Sequence, residues 1–445
     1  MKKALKIVLI NIFVLSIIIT LFSCGEKEIL PVEYYDLSLG SQSLSDDIRE
    51  DYTYAVIDRD GDKKDGEKYL AHPDMINLIK DGKDVQYVFY VNGHGRGETR
   101  IKKSVDNGKS WEPISNLPSS FQNTQETPCA YTLNFNNGST KYILISGRPG
   151  WSTFPKKGEG FDVSISSDLE NWSEHENFYG PMAKESKYYA KKGTWNCIVA
   201  MASLVRVKEN GEFVDKWIGF FHDYDYSIYS TVLTFEKEKM KWSKPVKVFD
   251  AYRNIEKKVG LCEPLVLRSP DRKELLMLMR ANKKNSHSMY SISVDEGKTW
   301  SQPQETSLNL TGERHKAIQL DDSRFMITMR KIDYYNGEIK KSNFYSRGFC
   351  AWIGNYEDIK SRDDGIGDLI KIEHTYNGNE KLGPVANGDT GYAGIIKTQT
   401  GDIIVASYGR FDQNDITNTM IIAKTINIQK FYQDVSLGKI VKVKN

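Results

Sequence analysis

No apolar stripe of helical period and useful length runs through this sequence. Prolines are few, 13 in 445 residues, and the net charge is only +2. Near-neutrality gives no general attraction to nucleic acid or to an acidic membrane surface. No Gly-rich phosphate loop follows a strand. Gly93-His94-Gly95-Arg96-Gly97 is glycine-rich, but nothing helical comes after it, so a nucleotide site is rejected. No HExxH motif is present, and no CxxC pair occurs among Cys129, Cys197, Cys262 and Cys350. A zinc or redox centre is therefore not expected, and no cofactor or metal is assigned. Three of these cysteines open apolar strands, so buried free thiols are expected rather than disulfides.

What the chain has is aromatic residues and glycine: 25 Tyr, 18 Phe, 8 Trp and 34 Gly. That mixture suits short strands joined by tight turns. The first residues differ from the rest. Lys2 and Lys3 precede a nearly unbroken apolar run, Leu5 to Phe22, ending in Leu21-Phe22-Ser23-Cys24. This resembles a lipoprotein signal, with residues 1–23 removed and Cys24 lipidated. Residues 24–51 are polar and aperiodic and are expected to be a tether. The protein is then exported and lipid-anchored, facing the periplasm or the cell surface from an outer membrane, and is expected to be a monomer.

Internal repetition sets the fold of residues 52–445. Ser104-Val105-Asp106-Asn107-Gly108-Lys109-Ser110-Trp111 recurs as Ser293-Val294-Asp295-Glu296-Gly297-Lys298-Thr299-Trp300. Weaker copies lie at Ser166 to Ser173 and Thr234 to Ser243. The aspartate is suited to accept backbone N–H groups, the glycine to a left-handed conformation, and the tryptophan to burial between strands. Each motif closes a unit of paired apolar strands. Six units start near His72, Glu126, Cys197, Glu263, Arg314 and Asp389. The fold predicted is all-β, a six-bladed propeller. A seventh blade built from Val32 to Ile57 is the competing arrangement.

In a propeller the starts of the first strands and the ends of the second strands meet at one funnel. The starts carry His72, Asp74, Glu126, Glu263, Arg314, His315, Asp389 and Tyr392. The ends carry His94, Arg96, Arg148, His222, Arg280, Arg330 and Arg410. Arginines suit a carboxylate or sulfate on a ligand. Glu263 with Tyr392 suits an activated phenol, as some glycosidases use.

These motifs resemble the sialidase superfamily of Asp-box propellers over roughly Ala71 to Ile428, most strongly over Glu263 to Trp300. The resemblance implies that Tyr392 is a nucleophile, Glu263 its partner, and Arg280 with Arg330 or Arg347 part of an arginine clamp for an acidic sugar. The chain departs from the family pattern at Ala71-His72-Pro73-Asp74, where an arginine is usual. It departs again at residues 93–98, where the acid/base aspartate is missing. His94, Glu126 and Asp74 are candidates for that role. Arg96, Arg314, His315, Asp389 and His72 are candidates for substrate binding. The activity implied is exo-acting release of a terminal acidic sugar from glycans. Two alternatives stand beside it: a lyase or hydrolase for another uronic acid acting through histidine and arginine, and a glycan-binding lipoprotein without catalysis.

Overall fold

The computed structural model describes residues 32–444 apart from 39–40, 62, 65–66, 94–96, 125, 150–158, 179–195, 284, 333, 336–337, 340–345 and 377–388. The expected signal peptide and Cys24 lie outside these residues. Among the described residues no helix is long and apolar enough to cross a membrane. Glu33–Val443 forms one compact unit, and Met1–Val32 with Lys444–Asn445 is counted apart.

Six sheets follow one another, each built on four antiparallel strands, with a fifth strand added in blade 3 and two more in blade 5. Their innermost strands are Leu70–Lys80, Pro128–Asn134, Ile198–Glu209, Leu261–Arg268, Gly312–Gln319 and Gly391–Lys397. Each begins within two residues of its expected unit start. The protein is a six-bladed β-propeller. The fourth strand of blade 6 comes from the other end of the chain, because Tyr54–Asp58 pairs antiparallel with Met420–Ile426.

The segment expected as a tether is structured from Glu33 onward, which corrects that expectation. Glu33–Asp36 adds a parallel strand to the outer edge of blade 5. Leu37, Leu44, Ile48 and Tyr52 enter a core shared with Phe349, Ile370, Val405 and Phe431. Leu44, Ile48 and Tyr52 are spaced by four residues, but three apolar positions in an otherwise polar stretch are too few to mark a packed segment. The stretch 32–57 supplies outer strands to two blades and makes no seventh blade.

Apolar clusters lie between neighbouring blades. Tyr87, Phe89 and Ile101 of blade 1 pack on Ala130, Tyr142 and Leu144 of blade 2. Phe220 of blade 3 meets Trp300 of blade 4 edge-on at 5.8 Å. Each such side chain contributes about 1.5–3 kcal/mol on burial. Cys129 and Cys197 are buried free thiols, and Cys262 and Cys350 are buried as well.

The repeated turn folds as its residues require. Asp106 Oδ1 accepts the N–H groups of Lys109 (3.1 Å) and Ser110 (2.9 Å). Ser104 Oγ accepts from Gly108 N at 3.0 Å, and Trp111 Nε1 donates to Gly108 O at 3.0 Å. These bonds hold the Asp106 carboxyl down at about 2 against the opposing effect of burial. Asp295 and Asp168 repeat the arrangement. In the Asp168 copy Leu169, at φ 66°, occupies the left-handed position that glycine takes elsewhere. The turns also join blades, since Thr425 of blade 6 donates to Asn107 O of blade 1.

Candidate active site

In the innermost strands of blades 1, 4, 5 and 6 the ladder slips by one residue at the same level. The slips fall between Ala71 and Asp74, Cys262 and Leu265, Glu313 and Lys316, and Gly391 and Gly394. The residue opening each slip is left-handed: His72 (φ 54°), Glu263 (φ 49°), Arg314 (φ 50°) and Tyr392 (φ 46°). With a Cβ atom, that conformation costs roughly 1–2 kcal/mol per residue. A bulge bends the strand and re-aims a side chain. Pro73 and Pro264 occupy the next position, where the missing N–H removes no ladder bond. Blade 3 has a wider slip between Ile198 and Ser203, with Val199 at φ 46° and Met201 at φ 52°. Blade 2 pairs regularly along Pro128–Asn134.

The re-aimed side chains meet. The Tyr392 hydroxyl donates to Glu263 Oε1. Arg280 Nη1 donates to both, at 2.9 Å to Glu263 Oε1 and 3.0 Å to the Tyr392 oxygen. Glu263 Oε2 accepts the backbone N–H of Arg314 at 2.9 Å. Arg280 Nη2 lies 2.9 Å from Glu313 Oε1, and Glu313 Oε2 is 2.8 Å from both Nε and Nη2 of Arg330. Arg330 Nη1 pairs with Asp389, which also accepts from the hydroxyls of Tyr69 and Tyr408. The result is an alternating row: Glu263, Arg280, Glu313, Arg330, Asp389. Arg330 also lies 5.5 Å over the Tyr392 ring.

This row keeps its acids ionised. Burial pushes the Glu263 carboxyl up, but Arg280, the Tyr392 hydroxyl, His222 and Arg314 outweigh it and hold it at about 2. Burial is likewise outweighed at Asp389, held at about 2 by Arg330, Tyr69, Tyr408 and His72. Burial, with Glu263 beside it, pushes the Tyr392 phenol well above its ordinary range, although Arg280 and Arg330 pull it down. The resting site therefore holds a neutral phenol against an ionised carboxylate. A phenolate formed during reaction would have Arg280 at its oxygen.

His72 packs against Tyr392 with tilted rings, 4.6 Å between centres and 40° between planes. Its Nδ1 is 3.3 Å from Thr127 Oγ1, which donates to Glu126 Oε1 at 3.0 Å. His72 thus flanks the tyrosine from blade 1, and Glu126, just before blade 2, is linked to His72 through Thr127. Asp74 is directed elsewhere: its Oδ2 accepts from Ala130 N at 3.0 Å and from Lys316 Nζ at 2.8 Å.

A model of a BNR repeat-like domain matches residues 227–333, which run from blade 3 into blade 5. The α-L-arabinofuranosidase Arb93A from Fusarium graminearum superposes with a TM-score of 0.54 at 12% identity, covering 85% of this chain and 98% of that one. The chain is a six-bladed β-propeller similar in fold to this enzyme, with a BNR repeat-like match over residues 227–333. The NanB sialidase from Streptococcus pneumoniae gives a TM-score of 0.51 at 11% identity, with 84% and 71% covered. A protein of unknown function from Dyadobacter fermentans gives 0.56 at 18%, with 84% and 97% covered. No curated protein sequence matches the chain.

In this propeller Tyr392, Glu263, Arg280, Arg330 and Asp389 form one connected site, with His72 and Glu126 at its side. Arg314 extends across the channel instead, where Nη1 donates to Ala202 O (3.2 Å) and Nη2 to Cys129 Sγ (3.3 Å). His315 is fully buried and donates from Nε2 to Leu310 O at 3.0 Å. Arg148 pairs with Glu159 and Asp162. His94, Arg96 and the Arg347 side chain lie outside the described residues.

Sequence reasoning missed Glu313, whose carboxylate joins the two arginines. It also left His222 without a role, although its Nδ1 lies 3.4 Å from the backbone N–H of Glu263. Position offered a signal for Glu313, the residue immediately before a bulge-opening arginine.

Proposed function

We propose that this propeller is a glycoside hydrolase with Tyr392 as nucleophile. The observation that carries the reading is the Tyr392 hydroxyl directed into ionised Glu263, with Arg280 bound to both oxygens. The neighbours of stated activity, an α-L-arabinofuranosidase and a sialidase, support it.

In the first step the Tyr392 oxygen bonds to the anomeric carbon as the bond to the leaving oxygen breaks. The phenolic proton passes to Glu263, and the leaving oxygen takes a proton from Glu126, which is linked to His72 through Thr127. Ionised Glu263 is too weak a base to deprotonate an isolated phenol, so proton transfer accompanies bond formation. The neutral tyrosine becomes a nucleophile only as the anomeric carbon becomes electron-deficient. Water then splits the glycosyl–tyrosine bond: its oxygen bonds to the anomeric carbon, its released proton goes to Glu126, and the departing Tyr392 oxygen takes its proton back from Glu263.

Purified protein from residue 25 onward, assayed on a panel of 4-nitrophenyl glycosides, tests the reading. Turnover that Tyr392→Phe abolishes without lowering the melting temperature is the expected result. No turnover on the panel and on natural glycans, or an equally active Tyr392→Phe, would end it. Export and lipidation at Cys24 belong to the same proposal. Metabolic labelling with an alkyne fatty acid, lost in Cys24→Ala, is the check.

A further inference from the structure

We infer that Arg330 is a positioning residue of Tyr392: its guanidinium, fixed against the tyrosine ring, stabilises the phenolate form and binds no group of the ligand. The inference rests on the reading of Tyr392 as nucleophile and assigns a second residue to that step. It departs from the family resemblance, which offers Arg330 as part of a clamp for an acidic sugar.

Every nitrogen of Arg330 has an acidic partner. Its Nε and Nη2 both lie 2.8 Å from Glu313 Oε2, and Nη1 pairs with Asp389. The residue is 4% exposed. Both acids are held in turn, Glu313 Oε1 by Arg280 Nη2 at 2.9 Å and Asp389 by the hydroxyls of Tyr69 and Tyr408. A ligand carboxylate would have to displace one of these acids, and a buried carboxylate deprived of its partner is strongly destabilising. The guanidinium is pinned from two sides, and it lies over the Tyr392 ring, 5.5 Å from the ring centre.

The backbone builds this approach. Gly391, immediately before Tyr392, has φ 87°. A Cβ atom on Gly391 would lie 2.8 Å from Arg330 Cβ and 2.9 Å from Arg330 N, closer than side chains come to a neighbouring backbone. Glycine therefore lets the bulge of blade 6 close onto the second strand of blade 5. Two neighbouring blades deliver the tyrosine to the arginine.

A phenolate shares its charge between its oxygen and its ring carbons. Arg280 serves the oxygen, at 3.0 Å. Arg330 serves the ring, whose face attracts a cation even when the phenol is neutral. The attraction grows as negative charge develops, and burial leaves it poorly screened. An interaction that strengthens on the way to the transition state lowers the barrier instead of only tightening the ground state. The charged groups that act on Tyr392 come from blades 4 and 5, and His72 packs on it from blade 1. Glu263 and Glu313 push the phenol up, Arg280 and Arg330 pull it down, and Arg330 counts for more than Glu313.

The test uses the protein from residue 25 onward, with each variant checked by its melting curve. Incorporation of 3,5-difluorotyrosine at position 392 gives a more acidic phenol, and fluorine NMR reads its titration midpoint without any need for turnover. Arg330→Gln combined with Asp389→Asn removes a cation and an anion together. Its midpoint is expected to rise. With ordinary tyrosine, its kcat is expected to fall by about tenfold or more, with KM unchanged on neutral and acidic 4-nitrophenyl glycosides alike. Glu313→Gln removes a charge that offsets Arg330, so its midpoint is expected to fall. Arg330→Lys keeps the cation and should stay near the wild-type midpoint. Gly391→Ala pushes the ring away from Arg330 and should repeat the rise, which keeps the test decisive if the double variant does not fold. Unmoved midpoints in the double variant or in folded Gly391→Ala overturn the inference. So does a loss confined to KM for acidic substrates, the mark of a clamp. Shifted midpoints in a protein that turns over no glycoside would keep the Arg330 assignment and end the hydrolase reading. Turnover that requires Tyr392, with unmoved midpoints, would do the reverse.

Discussion

The inner bulges and the outer turns are the two repeated devices of this propeller, and they treat repetition in opposite ways. At the outer turns, three blades use the same aspartate, the same left-handed position and the same tryptophan for the same hydrogen bonds. At the inner bulges, four blades share one backbone distortion and place four different side chains on it: His72, Glu263, Arg314 and Tyr392. The turn repeats because its work is local. The bulge repeats only as a pedestal, and chemistry comes from what each blade puts there.

Substitutions at the two levels should therefore separate activity from stability. The largest effect is expected for Tyr392→Phe, which removes the reacting oxygen and little volume. A loss on the order of 10²–10⁴ in kcat with an unchanged melting temperature is the outcome to look for. Next comes Arg330→Ala, which leaves Glu313 and Asp389 buried beside each other without their shared cation. A loss of about 3–5 kcal/mol in denaturant unfolding is expected, together with loss of activity. At the outer level Asp106→Ala should cost about 1–2 kcal/mol, because it strands backbone N–H groups, while kcat/KM stays at the wild-type value. If Asp106→Ala lowers kcat as much as Arg330→Ala does, the separation between the two levels fails.

Acid should attack the inner level first. His222 and His315 are held neutral with pKa values near 4, below their ordinary value of 6.5. The unfolded chain takes up more protons in that window, so stability falls as pH drops from about 6.5 to 4. Glu263, held at about 2 against an ordinary 4.5, adds a second loss as pH falls from 4.5 towards 2. Melting temperatures measured across both windows, with His222→Gln flattening the upper one, would check the sign. The smallest effect is expected at the rim. Arg280 Nη2 bonds Asn282, whose Nδ2 donates to Tyr226 OH at 2.7 Å. Tyr226→Phe removes that last bond, worth about 0.5–1.5 kcal/mol, and should raise KM severalfold with little change in kcat.

The blades were legible because paired apolar strands and the turn motif recur at a readable spacing. Glu263, Arg280, Arg330 and Tyr392 were legible because the repeat phase placed them at strand ends of one funnel. Glu313 was not, since each strand start was read as one position. A bulge puts two consecutive residues to work there, so Glu313 and Arg314 both act, in different directions. The edge strand Glu33–Asp36 escaped because its pairing is with residues far along the chain and leaves no local period.

The closing of blade 6 by Tyr54–Asp58 also sets a timetable. The register joins Tyr54 to Lys424 and Val56 to Ile422, so a strand synthesised early waits for one made almost last. Contacts so distant along the chain form slowly, because the whole intervening loop must be ordered before they contribute. Until blade 6 exists the growing ring has an open seam on each side. Completion is an all-or-nothing event that only the full-length chain can reach.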